Sequence, residues 1–527
     1  MSTTSATAAL GADTLVRTLI EEKIEVCFAN PGTSEMHMVA ALDRNPGLRS
    51  VLALFEGVVT GAADGYARMS GKVASTLLHL GPGFANGMAN LHNARKAGVP
   101  ILNLVGDHAV HHLQYDAPLT SDLQGMAQCV SHWVGRVNST DEVAQRTREA
   151  VAATRGHPGS ISTLLISANA AWSPASAKPI HATVVPMSDA PAPDAAALAA
   201  AHRALRDAST RGMLLVGDST LTVEGTRLAA AISQRLNCRL AAQSSNRRMT
   251  RGGGLPHLPR VPYPIDQAMA FMENVQSLVC VGAPPPVAFF AYPDKPSMLV
   301  PDGCDTHQLV PPGADPLDVL RVLAQLTGVT PDDTPFQPMT HMARPAGALT
   351  HDTVARALAS TLPEHAIVVD EAVTTGRLQS YDECAASARH DWINNMGGSI
   401  GYGLPVALGA SIACPDRRVI ALVGDGSAFY TEQALWSMAR EQCNITVVIY
   451  ANRTYAILKG EWEKMKAGQA GASAHDLLNL DRPEPDWRRI AEGHGVPAVR
   501  VHDAAEYAQA LERANGTPGP TLIEVML

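Results

Sequence analysis

Near the carboxyl terminus, a few oxygen-bearing residues have the types and spacing that gripping a diphosphate requires. Asp425 follows the apolar run 420–423 within Gly424-Asp425-Gly426-Ser427, and Asn452 comes 27 positions later, behind a second apolar run at 445–450. A helical segment, 432–442, separates the two runs, so they read as neighbouring parallel strands whose ends emerge on the ligand-binding edge of a sheet. Asp425 supplies a carboxylate there, Asn452 an amide oxygen and Thr454 a main-chain carbonyl. Three hard oxygens beside a helix N-terminus suit Mg²⁺ holding a diphosphate, with phosphate and water completing the shell. Gly424 and Gly426 let phosphates approach the backbone, and Ser427 can donate to them. Gly-Asp-Gly alone reads equally well as a strand-end turn before a capped helix; Asn452 at its spacing favours the metal.

The elements that must position these residues follow a repeated scheme. Apolar runs ending in Val-Gly-Asp occur at 102–107, 213–218 and 420–425. Each reads as a buried parallel strand stopping at a tight turn, and helical segments are expected at 141–153, 223–236 and 432–441. Strand–helix alternation of this kind places parallel sheets between layers of helices. Two Pro-, Ala- and Ser-rich stretches, 172–194 and 329–347, read as linkers. The expected fold class is therefore α/β, with three doubly wound parallel-sheet domains at 1–172, 195–328 and 348–527.

Composition narrows the functional classes. With 527 residues, 46% hydrophobic and 17% charged, the chain can build several cores, which excludes disorder as its main state. A net charge of −9 argues against a nucleic-acid partner, whose phosphates are bound by clustered cations. The eight cysteines are scattered, Cys280 and Cys304 being the nearest pair, so neither a zinc ribbon nor a disulfide framework is expected. No apolar stretch approaches the ~18–20 residues that cross a bilayer, and a soluble, cytoplasmic protein with no membrane partner is expected. Gly65–Val73 fails the spacing of a P-loop, and Gly81–Gly87 is one residue too long for the dinucleotide fingerprint.

Gly424-Asp425-Gly426-Ser427 followed by Asn452 resembles the signature of thiamine-diphosphate enzymes of the decarboxylase and acetolactate-synthase superfamily. The resemblance extends along the whole chain, and 424–458 is most similar to benzoylformate decarboxylase. It implies a pyrimidine-binding, a central and a diphosphate-binding domain, with thiamine diphosphate and Mg²⁺ as cofactors. Ala451 departs from the pattern, which usually has Asn there; the metal-binding Asn is the second one, kept as Asn452. Gly397-Gly398-Ser399-Ile400-Gly401 resembles the segment over which the cofactor bends: Ile400 lies at the bulky position beneath the thiazolium, and the Gly398 carbonyl receives the cofactor's amino group. Thr374 is carried with them as a cofactor-binding residue. Phe55-Glu56-Gly57 with the following Gly61–Arg68 resembles the motif of the activating glutamate. Taken alone, Glu56 also reads as a helix-entry carboxylate; the resemblance makes it the group bonded to the pyrimidine, usually across a dimer interface, with burial expected to raise its pKa.

The branch of the superfamily is read from the residues placed to meet substrate. His79 matches a catalytic histidine of benzoylformate decarboxylases, although the following Gly81-Pro82-Gly83 resembles a loop of acetolactate synthases. Thr33 matches a substrate-contacting serine, and it can equally cap the next helix. His111 falls close to a paired-histidine motif of pyruvate decarboxylases; with His108 and His112 it also reads as a solvent-facing histidine. Asp107 replaces a glutamine of the synthases, Leu458 replaces an acid of the pyruvate decarboxylases, and no second catalytic histidine stands near Phe289-Phe290. Ile457, Leu458, Trp462 and one of those phenylalanines are candidates for an apolar wall. The central block lacks the Arg-Phe-Asp-Asp-Arg segment of flavin-binding synthases, so FAD is not expected, and Arg251-Gly252-Gly253-Gly254 reads as a loop. The expectation is a 2-oxo acid decarboxylase with aldehyde-ligating capacity, acting as a homodimer or homotetramer with sites at the subunit interface. The alternatives are an acetolactate-synthase-type carboligase and an inactive cofactor-binding subunit, the latter opposed by intact Glu56, Asp425 and Asn452.

Overall fold

Seventeen strands, labelled β1–β17 in chain order, form three sheets in the computed structural model, which describes residues 9–175, 191–334, 337–340, 342–375 and 377–527. Most of the first expected linker lies outside the described residues. The chain divides into two compact units. One comprises Met1–Ser188, Gly397–Pro415 and Tyr430–Cys443; the other comprises Asp189–Met396, Asp416–Phe429 and Asn444–Leu527.

The first unit holds six parallel strands in the order β2-β1-β3-β4-β6-β5: β1 (Val26–Ala29), β2 (Arg49–Leu52), β3 (Ala74–Leu78), β4 (Ile101–Asp107), β5 (Trp133–Val137) and β6 (Ile161–Ser167). Strands β3, β4 and β6 are buried throughout, as strands covered on both faces must be. Asn103, the polar interruption in β4, accepts from Thr76 Oγ1 and donates to Thr163 Oγ1, so its burial leaves no amide atom unpaired. The helix Glu56–Ser70 packs on the helix Gly403–Ala413 at backbone distance. A Cβ on Gly65 would lie 2.1 Å from the Val406 carbonyl oxygen, and one on Gly409 1.8 Å from that of Ala62. The small residues of both helices therefore set how closely they approach. Asp64 and Arg68 form a fully buried ion pair at 2.6 Å on the same helix.

The second unit carries the other two sheets. Four parallel strands run in the order β11-β10-β7-β8: β7 (Gly212–Val216), β8 (Arg239–Ala242), β10 (Ser277–Val281) and β11 (Asp305–Gln308). Seven run in the order β16-β17-β15-β14-β12-β13-β9: β9 (Met249–Arg251), β12 (Ala366–Glu371), β13 (His390–Asn394), β14 (Val419–Gly424), β15 (Ile445–Ala451), β16 (Ala498–Val501) and β17 (Thr521–Met526). The fold class agrees with the sequence expectation, and the helices Val143–Thr154, Val223–Leu236 and Ala434–Arg440 lie where expected.

Three local readings are corrected. Arg251 ends an antiparallel edge strand, β9, paired with β13, where a loop was expected. Side-chain contacts hold it there: Arg248 and Thr250 bond to Asp391, and Arg251 stacks 3.4 Å from the centre of the Tyr381 ring. Gly81-Pro82-Gly83 forms the first turn of the helix Leu80–Lys96 and is not a loop, because a proline is tolerated where helix N–H groups have no partner. Likewise Asp425–Ala428 is a short helical turn following directly on β14.

Candidate active site

The three Val-Gly-Asp runs end differently, and the difference singles out one aspartate. Asp107 pairs with Arg136 and accepts from the His108 N–H. Asp218 pairs with Arg247 at 3.0 Å. Asp425 is 2% exposed and has no ion pair among the described residues. Its Oδ1 accepts from the Gly426 N–H at 2.8 Å, and its Oδ2 from the Arg453 N–H at 2.6 Å. Burial pushes its pKa up, against the pull of those two amides and of the Arg453 charge. The Arg453 guanidinium itself turns to Glu484 and to the carbonyl of Leu527.

Registration of β14 on β15 sets Gly424 opposite Tyr450, so Asp425 and Asn452 leave neighbouring strands on the same edge. Arg453 has φ +55, a left-handed turn that brings its N–H back to Asp425. Asn452 Oδ1 accepts from the Thr454 N–H at 3.1 Å, and Thr454 Oγ1 donates to the Leu478 carbonyl at 2.8 Å. Asp425 is thus bonded to the Arg453 N–H, and Asn452 and Thr454 on either side of Arg453 are bonded to each other. Among the described residues no cluster of three or more His, Cys, Asp or Glu side chains is placed to hold a metal. A single buried carboxylate with amide and carbonyl oxygens instead fits a hard cation that shares its shell with phosphates. Gly424 supports the same fit: its φ is −71, and a Cβ there would meet nothing nearer than Ser427 Oγ at 3.8 Å. Neither backbone nor packing requires a glycine, and the space beside it is open. Gly426, by contrast, is required by Tyr455, whose ring a Cβ would reach at 2.5 Å. Ser427 is buried, and Thr374 lines a 440 Å³ cavity with Val373, Ile457, Gly460 and Lys464.

In the first unit, Glu56 opens the helix Glu56–Ser70 and is 6% exposed. Its position in the first turn favours negative charge, and its Oε2 accepts from Asn86 Nδ2 at 3.0 Å. A Cβ on Gly83 would lie 2.9 Å from Glu56 Oε1 and 3.1 Å from His79 Cβ, so Glu56 and His79 flank the same glycine. The segment 397–401 rests on the helix Leu80–Lys96. Asn93 donates to the Ser399 carbonyl and accepts from its N–H, while Asn90 donates to the Gly401 carbonyl. Gly398 is exposed with φ +83, a conformation that only glycine adopts without strain, and Ile400 is half-buried beside it.

His79 has a partner that the sequence reading missed. Its Nδ1 lies 2.8 Å from Glu35 Oε2 and 3.2 Å from Ser34 Oγ. The Glu35 side chain is fully buried; it also accepts from the Gly32 N–H at 2.9 Å and from Ser34 Oγ at 2.9 Å. Strand order explains the meeting: β1, which leads into residues 30–35, lies beside β3, which ends at Leu78. A local signal was Glu35 three residues after Gly32, the spacing at which a carboxylate reaches back to the Gly32 N–H. Thr33 is exposed at the start of the turn Thr33–Glu35; its neighbours Ser34 and Glu35 are the residues that reach His79. His111 and His112 are exposed, and the rings of His108 and His112 lie 5.3 Å apart. The candidate apolar wall is divided. Ile457 lines the 440 Å³ cavity, Phe289 lines a second cavity of 230 Å³ with Tyr263, and Leu458 and Phe290 are exposed.

Comparison with known proteins agrees with this geometry. Residues 10–133 match the thiamine pyrophosphate enzyme N-terminal TPP binding domain, and residues 375–525 match the C-terminal TPP binding domain. A Mycobacterium tuberculosis protein carrying the name "Putative acetolactate synthase large subunit IlvX" is 46% identical, over 98% of this chain and 99% of its own. Benzoylformate decarboxylase of Pseudomonas aeruginosa is 28% identical, over 94% of this chain and 95% of its own. The structure of a 4-hydroxybenzoylformate decarboxylase from Rhodococcus jostii superposes with a TM-score of 0.83 at 22% identity, covering 98% of this chain and 99% of the other, and so shares the fold. No helix among the described residues is long and apolar enough to cross a membrane. With both cofactor-binding domains matched and a 46% identical relative spanning nearly its full length, the chain belongs to the thiamine-diphosphate enzymes of the acetolactate synthase and benzoylformate decarboxylase family.

Proposed function

We propose that this enzyme is a thiamine-diphosphate- and Mg²⁺-dependent 2-oxo acid decarboxylase of the benzoylformate decarboxylase type, able also to ligate aldehydes. It acts in the cytoplasm as a homodimer or homotetramer whose sites form at the subunit interface. The observation that carries this reading is the pairing of His79 with the buried carboxylate of Glu35 at 2.8 Å. A carboxylate on Nδ1 makes that nitrogen the proton-bearing one and leaves Nε2 to exchange a proton with substrate. Asp107 supports the same branch, because its commitment to Arg136 and the His108 N–H removes it from substrate assistance of the synthase type.

Thiamine diphosphate, when bound, supplies the nucleophilic carbon and the electron sink that loss of CO₂ needs. The chain's own residues bind and orient it. Asp425, Asn452 and the Thr454 carbonyl hold Mg²⁺, and Gly424, Gly426 and Ser427 receive the diphosphate. Gly398, Ile400 and Thr374 contact the rest of the cofactor. Glu56, fixed by Asn86 and given room by Gly83, would hold the proton that activates it. Thr33 and His111 complete the proposed substrate-facing set.

A second reading, an acetolactate-synthase-type carboligase, is favoured by the name of the 46% identical relative. Purified protein supplied with thiamine diphosphate and Mg²⁺, then separately with benzoylformate and with pyruvate, distinguishes the two. Benzaldehyde and CO₂ as dominant products support the decarboxylase; acetolactate from pyruvate with benzoylformate untouched supports the synthase.

A further inference from the structure

The helix Ala456–Lys464 presents Ala456, Ile457, Gly460 and Lys464 to the 440 Å³ cavity that also contains Thr374. Its far end is not apolar. Lys464 Nζ donates to Glu461 Oε1 at 2.9 Å, and Glu461 Oε2 accepts from the Tyr292 hydroxyl at 2.9 Å. The ammonium also lies 5.9 Å from the centre of the Tyr263 ring, on the same cavity wall. The two charges are unequally placed: the Lys464 side chain is 32% exposed and that of Glu461 11%. A ligand entering the cavity therefore meets ammonium N–H donors, while the carboxylate stays behind them with both oxygens already accepting.

Gly460 adds an independent observation. It sits in the middle of the helix, where glycine is unfavourable relative to alanine. It has no left-handed φ, and a Cβ there would meet nothing within 4 Å. Neither backbone nor packing calls for it; what it provides is room in the cavity one turn before Lys464.

Resting on the decarboxylase reading above, we propose that Lys464, held by Glu461 and given room by Gly460, selects a 2-oxo acid whose side chain ends in a second carboxylate. The holoenzyme is assayed with 2-oxoglutarate and 2-oxopentanoate, five-carbon 2-oxo acids that differ only in the terminal carboxylate. One charge-assisted hydrogen bond sets the expected preference in kcat/KM at about ten-fold or more for 2-oxoglutarate. Lys464→Met brings that ratio to about one, chiefly through the KM for 2-oxoglutarate. A preference for 2-oxopentanoate, or a ratio unchanged by Lys464→Met, overturns the proposal. Loss of thiamine diphosphate binding in the variant also overturns it, by giving the lysine to the cofactor. Gly460→Leu introduces a strong helix former and leaves Lys464 in place; it raises the KM for 2-oxoglutarate about ten-fold by filling the cavity, and an unchanged KM counts against the site. If neither acid is turned over, the decarboxylase reading is decided by benzoylformate alone, and glutarate and pentanoate are titrated by calorimetry instead. Glutarate bound more tightly than pentanoate, and weakened by Lys464→Met, then upholds the site; equal or absent binding overturns it.

Discussion

Glu35→Gln is the substitution that asks most directly whether the carboxylate works through His79. The side chain keeps its shape, and its buried position receives three donors: the Gly32 N–H, Ser34 Oγ and His79 Nδ1. Glutamine retains an oxygen for the Gly32 and His79 side, and its amide can donate to a rotated Ser34 hydroxyl, so the fold is kept. What is lost is the charge. A hydrogen bond to a charged group contributes about 1.5–3 kcal/mol and a neutral one about 0.5–1.5, so the His79 contact weakens by roughly 1–1.5 kcal/mol. If orientation of His79 is needed in the transition state, that becomes about a five- to ten-fold fall in kcat, with KM nearly unchanged. The assay is a double-mutant cycle with His79→Ala under saturating thiamine diphosphate and Mg²⁺. Glu35→Gln should lower kcat in the wild-type background and do nothing further in the His79→Ala background. An equal loss in both backgrounds refutes the coupling.

Asp425→Ala should abolish the rise in melting temperature that thiamine diphosphate with Mg²⁺ gives the wild type, a mass-action effect read by thermal shift; an undiminished rise rejects the metal site. Gly409→Ala places a Cβ 1.8 Å from the Ala62 carbonyl oxygen, so overpacking of about 1–3 kcal/mol should outweigh the ~1 kcal/mol gain in helix propensity and lower the midpoint of urea unfolding. Asp391 is mostly buried; burial alone would raise its pKa, but Arg248, Thr250 and Arg417 hold it below the ordinary 3.8. Its contribution to stability is therefore complete above that value and is lost as the pH falls through the depressed folded-state pKa. Asp391→Asn should lower the melting temperature at neutral pH and flatten its decline in acid; a parallel decline in both proteins contradicts the assignment.

Parallel strands such as β7, β14 and β15 were legible because strands buried on both faces read as mainly apolar runs. The proposed cation site was legible because its candidate residues stand at the ends of two such runs. Antiparallel β9 was not: three residues carry no periodicity, and its position is set by Asp391 and the Tyr381 ring, both far along the chain. The Glu35–His79 pair was hidden for a related reason, since 44 positions separate the two residues and only the adjacency of β1 and β3 joins them. Repetition of Val-Gly-Asp misled in the opposite sense: among the described residues, two of the three identical tripeptides end in ion pairs and the third in a carboxylate held by backbone N–H groups, and only the partners tell them apart. A helix-interior glycine such as Gly460 shows its meaning only once the space beside it is seen.

Product identification with the holoenzyme and its His79→Ala variant tests the central proposal most directly. Wild-type protein given benzoylformate with thiamine diphosphate and Mg²⁺ is predicted to release benzaldehyde and CO₂, and the variant to lose at least about a hundred-fold in rate, as removal of a general acid–base does. Acetolactate from pyruvate, with benzoylformate unconsumed and His79→Ala as active as wild type, would contradict it.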